Sequence, residues 1–330
     1  MKKIFAAMLA AAICPAAIAQ TSSLRLSGVV DMGMSYRTGD SQSRFSTRSG
    51  GQSASRWALQ GSEDLGGGLK TVFNLTSVFN AGNGKLLLDG RLFNAAAYVG
   101  LVSAAGELRL GRQSVFGGAW GSLDAGFDGG WGGAGDLVMP AGHGDVGPSA
   151  IADKLVSYRS PAMGPFTLGL GYSFGVHEAD AQKNARRDHL YTAGLRYAEG
   201  HWTAALTLDG LLPRDAETRR RTRNHQAALA YKKDRFGASL GLAWLVNVNR
   251  GPAAGPRPYS AIAAGMHVGL GSASTLRLAV QRASILDFYS LAAGYQYDLS
   301  KRSNLYAYAI RRTGGPFGRQ VWAAGLRHRF

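Results

Sequence analysis

The sequence predicts an all-β protein: a 16-stranded antiparallel transmembrane β-barrel with short turns at one end and long loops at the other. Three observations carry this. Apolar residues recur with period two along most of the chain. The connections between these runs alternate between short and long. The chain opens on an export signal, and no later run reaches the roughly 18 apolar residues that a spanning helix needs.

The signal is MKKIFAAMLAAAICPAAIAQ. Lys2 and Lys3 form a basic start, residues 4–13 are apolar, and Ala17-Ile18-Ala19 is a small-x-small cleavage site. The expected division is a signal peptide at 1–19 and one barrel domain at 20–330. Cys14, the single cysteine, leaves with the signal. The mature chain then has no disulfide, thiol nucleophile or cysteine metal ligand. Loss of Lys2 and Lys3 leaves 35 basic against 21 acidic residues, a net +14. Such a charge favours anionic partners, and export argues against nucleic acid being one of them.

The strands follow from the alternation. In TLGLGYSF, Leu168, Leu170, Tyr172 and Phe174 share one face, and Thr167, Gly169, Gly171 and Ser173 share the other. In HWTAALTL, Trp202, Ala204, Leu206 and Leu208 oppose His201, Thr203, Ala205 and Thr207. The sixteen segments are 24–36, 55–62, 69–79, 91–102, 106–113, 153–160, 166–174, 190–198, 201–209, 224–232, 235–248, 259–270, 274–283, 287–298, 303–312 and 320–330. Connections 63–68, 103–105, 161–165, 200, 233–234 and 299–302 are short. Connections 37–54, 114–152, 175–189, 210–223 and 250–258 are long. This sorting is that of an up-and-down barrel inserted from the periplasm. Eight strands would pack their interior with side chains, whereas sixteen leave a water-filled lumen. Arg25, Arg196 and Arg277 can therefore stand mid-strand as solvated wall residues.

Several stretches resemble the general, non-specific trimeric porins of proteobacterial outer membranes, in particular the β-proteobacterial branch. They are SSLRLSGVVDMGMSY at 22–36, SRWALQGSEDLGGGLKTVFNL at 55–75, GRLFNAAAYVGL, GELRLGRQ, KLVSYRSPAMGPFTLGLGYSFG and the terminal AAGLRHRF. The likeness covers the whole chain in the family's order. It implies passive diffusion of small hydrophilic solutes and ions through a trimer in the outer membrane. It also implies lipid and lipopolysaccharide as surroundings and no cofactor.

The resemblance further implies that the third long loop, here 114–152, folds into the lumen and sets acids against an arginine ladder. Three wall arginines match family positions: Arg56 in SRW, Arg112 in LGRQ and Arg159 in SYRSP. The loop offers Asp124 and Asp128 as opposing acids, with Trp120, Phe127 and Trp131 to wedge it against the wall or touch solute. Phe330, the last residue of an alternating strand, resembles the signal read by the outer-membrane insertion machinery. There are departures. Ala95 and Ala96 stand where relatives often carry an arginine, Ile151 lies near another lost one, and Thr76 replaces a common acid. The net charge still favours anion preference. Arg214, Arg219, Arg220, Arg221 and Arg223 make 210–223 a basic external loop, suited to lipopolysaccharide phosphate or to plain solvation.

Other classes fit less well. The seven histidines fall in no catalytic frame, and no His-x-x-x-His or Asp-rich metal loop occurs, so neither an enzyme nor a metal site is expected. A plugged receptor or adhesin would need a separate plug domain ahead of the first strand. A substrate-specific channel is the nearer rival, through the loop aromatics. Gly130 to Gly135 spells GxGxxG, but a dinucleotide site needs a strand and helix around it, and strands are expected on both sides here.

Overall fold

The computed structural model describes residues 22–39, 44–87, 90–121, 123, 151–176, 188–213, 221–246, 258–284, 287–314 and 320–330. The strands are β1 Ser22–Thr38, β2 Arg44–Ser49, β3 Arg56–Gly66, β4 Leu69–Val78, β5 Ala96–Ser103, β6 Gly106–Ser114, β7 Ile151–Arg159 and β8 Phe166–Ser173. They continue with β9 His189–Glu199, β10 Trp202–Leu212, β11 Thr222–Lys233, β12 Phe236–Val246, β13 Pro258–Leu270, β14 Ser274–Ala283, β15 Phe288–Asp298, β16 Ser303–Thr313 and β17 Gln320–Arg329. A single-turn helix, α1 Phe116–Ala119, follows β6.

All pairings are antiparallel between neighbours, and β17 returns to β1, so the sheet closes. Closure leaves no open edge among the wall strands, which a membrane requires because lipid cannot hydrogen-bond a bare strand. The wall has sixteen strand positions rather than seventeen, because β2 and β3 share one. β1 pairs with β2 through Met32–Arg37 and with β3 through Ser22–Val29. The sequence reading put 37–54 in a single loop. Instead β2 takes six of those residues, and the chain turns aside at 50–55 before resuming as β3. The alternating signal was hidden because RFSTRS carries one large apolar residue, Phe45.

The two faces divide as the alternation requires. Leu24, Leu26, Leu206, Leu208, Leu242, Trp244, Leu305 and Leu326 are exposed on the outer face, where lipid rather than a core covers them. Aromatic pairs mark both rims. Trp202–Tyr231 at 4.8 Å and Phe166–Tyr197 at 5.4 Å lie beside short turns. Tyr36–Trp322 at 5.9 Å lies at the other end. Such belts sit at headgroup depth, where an amphipathic ring meets both phases. The chain end completes the closure: Phe330 N–H donates to Gly28 O at 3.1 Å, and Gly28 N–H to Phe330 O at 3.0 Å. A Cβ on Gly28 would sit 2.3 Å from the Phe330 ring, so the ring lies flat across β1 only because residue 28 is glycine.

Candidate functional site: the lumen wall and its arginines

The inner faces of β8, β9 and β10 present small residues, Gly169, Gly194 and Ala205, which form a shallow socket. Phe116 and Trp120 lie in it, buried and 4.5 Å apart between ring centres. A Cβ on Gly169 would meet the Phe116 ring at 2.4 Å, and one on Gly194 would meet Trp120 at 2.7 Å. Small polar-face residues in these strands thus make room for chain as well as water. Backbone grips complete the seat. Phe116 N–H donates to Thr192 Oγ1 at 2.7 Å, and that hydroxyl donates to Asp209 Oδ1 at 2.6 Å. Gly117 N–H also donates to Asp209 Oδ1, at 3.3 Å. A side chain at Gly117 would collide with Asp209, which explains the glycine directly after Phe116. The first residues after β6 therefore turn into the barrel and rest on the neighbouring stretch of wall, β8 to β10.

Arg159 joins this seat. Its guanidinium lies 5.8 Å from the Phe116 ring centre and 5.5 Å from that of Trp120. An arginine over two rings keeps its charge while its flat face is shielded, at a gain of about 1 kcal/mol or more per contact. Cross-strand from it, Glu107 binds Arg109 through two contacts of 2.6 and 2.9 Å. Trp120 is 7% exposed, so it acts as a wedge and offers little surface to a solute.

Arg56 stands at the start of β3, pointing to the lumen and exposed. One N–H donates to Ala54 O at 3.2 Å. Its neighbour across Val29 is Arg329 of β17, since Val29 pairs with Arg56 on one side and Arg329 on the other. This pair was missed from sequence. Arg329 is 273 positions away from Arg56 by number, and only barrel closure brings them level. The terminal RHRF, with strands closing first to last, holds the signal that could have found it.

Arg112 differs. A bulge between Gly111 and Gln113, where Gly111 adopts φ +134°, turns it towards the loop after β4. Its Nε donates to Asn94 O at 2.8 Å and its Nη1 to Asp153 Oδ1 at 2.5 Å. Arg91 binds both oxygens of the same carboxylate at 2.9 Å. The charge of Arg112 is thus half-buried and partly neutralised. Asp124, Phe127, Asp128, Trp131 and the GxGxxG run lie outside the described residues, as do residues 214–220 of the basic loop at 210–223.

A closed barrel of sixteen strand positions, apolar outside and polar within, with part of one loop seated on its inner wall, defines an outer-membrane diffusion channel. The chain belongs to the Gram-negative porin family, whose model matches residues 6–313. It is 32% identical, with both chains covered in full, to an outer membrane porin protein of Bordetella pertussis. It is 37% identical over 53% of its length to outer membrane porin protein 32 of Delftia acidovorans. Among solved structures, an anion-selective porin from Comamonas acidovorans shares the fold at a TM-score of 0.76 and 24% identity, covering 94% of this chain and 100% of that one. The trimer form of OmpT from Vibrio cholerae follows at 0.67 and 12%, covering 94% and 99%. The protein is an outer-membrane porin, and family and fold together point to a channel rather than an enzyme.

Proposed function

We propose that this porin is a trimeric, anion-preferring pore for small hydrophilic solutes, exported behind a leader cleaved after Ala19. The observation that carries the preference is the exposed pair Arg56 and Arg329 on the lumen face, with Val29 between them. Two like charges on one wall raise the local concentration of counter-ions and repel co-ions. Arginine holds its charge in a confined site and grips carboxylate or phosphate through two parallel N–H groups. Arg159 adds a third charge, on the wall beneath the seated loop. The net charge of +14 that remains without Lys2 and Lys3 of the leader, and the likeness to a porin titled anion-selective, support the same reading. The solved trimer of OmpT supports the assembly.

Bilayer recording under a KCl gradient tests this. Conductance in steps of three and a reversal potential on the chloride side are expected. Arg56→Glu with Arg329→Glu should move the reversal potential to the potassium side. A cation-preferring wild type would overturn the selectivity reading and leave the channel itself standing. Phe330 is proposed as the insertion signal, supported by its exposed ring on the outer face beside Gly28. Removing Phe330 should leave the chain unassembled in the periplasm. Normal trimer yield from the truncated chain would exclude that role.

A further inference from the structure

Polar residues on the inner wall of a water-filled barrel should meet water. On β1, β15, β16 and β17 many do not. Asp31 is 0% exposed, Asn304 3%, Tyr306 4%, Arg327 4% and Gln296 7%. The cover is residues 50–55, the excursion between β2 and β3. Gln52 donates from Nε2 to Gln296 Oε1 at 2.6 Å and accepts from Asn304 Nδ2 at 2.7 Å. Arg327 Nη1 donates to Ser53 Oγ at 2.8 Å. A Cβ on Gly51 would collide with the Tyr306 hydroxyl, so the backbone lies directly on that ring. From its root beside β1 the segment crosses β17 and β16 and reaches β15, always on the inner face.

Asp31 holds the segment down. Its Oδ2 accepts Gln52 N–H at 2.8 Å and Ser53 N–H at 2.6 Å, and its Oδ1 accepts the Tyr306 hydroxyl at 2.6 Å. Its backbone is engaged too: Gly50 N–H donates to Asp31 O at 2.9 Å, and Asp31 N–H donates to Ser55 Oγ at 3.1 Å. A buried carboxylate with three charge-assisted partners is a strong pin, because removing it strands every donor it satisfied.

The register shows that the segment is an addition to the wall and no part of it. Ser49 pairs with Met32, and Arg56 pairs with Val29. Six residues, 50–55, therefore stand opposite two, Val30 and Asp31. A strand would need two. The four extra residues keep the face parity of β3, so Arg56 still points inward.

We propose that residues 51–54 form a second pore-narrowing element, laid on the wall bearing Arg56 and latched by Asp31 as its positioning residue. Together with the seat of α1 it sets the open cross-section of the channel. The element narrows the bore by one chain thickness over the wall it covers.

The register supplies the test. Deleting 51–54 restores one-to-one pairing, with Gly50 opposite Asp31 and Ser55 opposite Val30, and leaves an unbroken strand. Single-channel conductance of the folded trimer, verified by heat-modifiable gel mobility, should rise by roughly one half, given the bore that sixteen strands enclose. Conductance equal to wild type would overturn the proposal, while the channel reading would stand on the wild-type conductance itself. Should the deletion fail to fold, Asp31→Ala and Asp31→Asn decide. The segment is retained but unlatched, so frequent partial closures are expected in otherwise open traces. Traces as quiet as wild type from both variants would overturn the latch and the element with it.

Discussion

Among the described residues, two stretches of chain lie on the inside of this barrel, and they are held by opposite physics. Phe116 to Trp120 rests on glycines by burying two aromatic rings, with Arg159 across their faces. Residues 50–55 bury almost nothing apolar and are held by a carboxylate, two amides and a phenol. The aromatic seat is shape-dependent: its strength lies in the space that glycine leaves. The polar latch is partner-dependent: each of its members is costly to leave alone in a dry place. A water-filled barrel can use either device, because the wall itself can be made dry locally by the chain laid over it.

The difference can be broken from either side. The largest effect is expected from Asp31→Ala. Losing the acceptor for Gln52 and Ser53 N–H should cost on the order of 4 kcal/mol locally and speed exchange of those two amides nearly a thousandfold. The amides of α1 should keep their wild-type rates. Faster exchange in both places would mean that the two inward stretches form one unit. Trp120→Ala is the converse test, at about 3 kcal/mol, with exchange roughly a hundredfold faster across α1 and none gained at Gln52. Equal protection in this variant would remove the wedge role.

Smaller effects sharpen the comparison. Gly169→Val inserts bulk where a Cβ already meets the Phe116 ring at 2.4 Å. Overpacking of about 1–3 kcal/mol should loosen α1 without touching the barrel's resistance to heat. An unchanged exchange profile would show that the socket has slack. The smallest effect is expected at Arg112. Asp153 and Asn94 already occupy its guanidinium, so Arg112→Glu should shift the reversal potential far less than Arg56→Glu. Equal shifts would put Arg112 in the ion path after all.

The wall was legible in the sequence. Alternation picked out sixteen segments, and each maps to a strand of the sheet within a few residues at its ends, except that 91–95, read as the start of the strand 91–102, belongs to the connection before β5 Ala96–Ser103. The other exception is the second wall position, where RFSTRS lacked a clear apolar face and SGGQSAS read as loop. Three arginines were named from likeness to porins, and their environments separate them. Arg56 is open, Arg159 is stacked on rings, and Arg112 is shared with Asp153.

What the sequence determined by itself was everything that depends on neighbours in the chain: which face of each strand meets lipid, where turns fall, and that the chain is a barrel of the porin family. A period of two is a local property, and lipid selects one face of it wherever the strand sits. The tertiary structure alone decided what meets what across the lumen. Arg329 stands level with Arg56 because the last strand pairs with the first. Asp31 pins residues 50–55 together with Tyr306, which is 275 positions away, because the chain folds inward over a closed wall. Those contacts have no period and no spacing, since closure and inward folding join residues by their height in the barrel and not by their order.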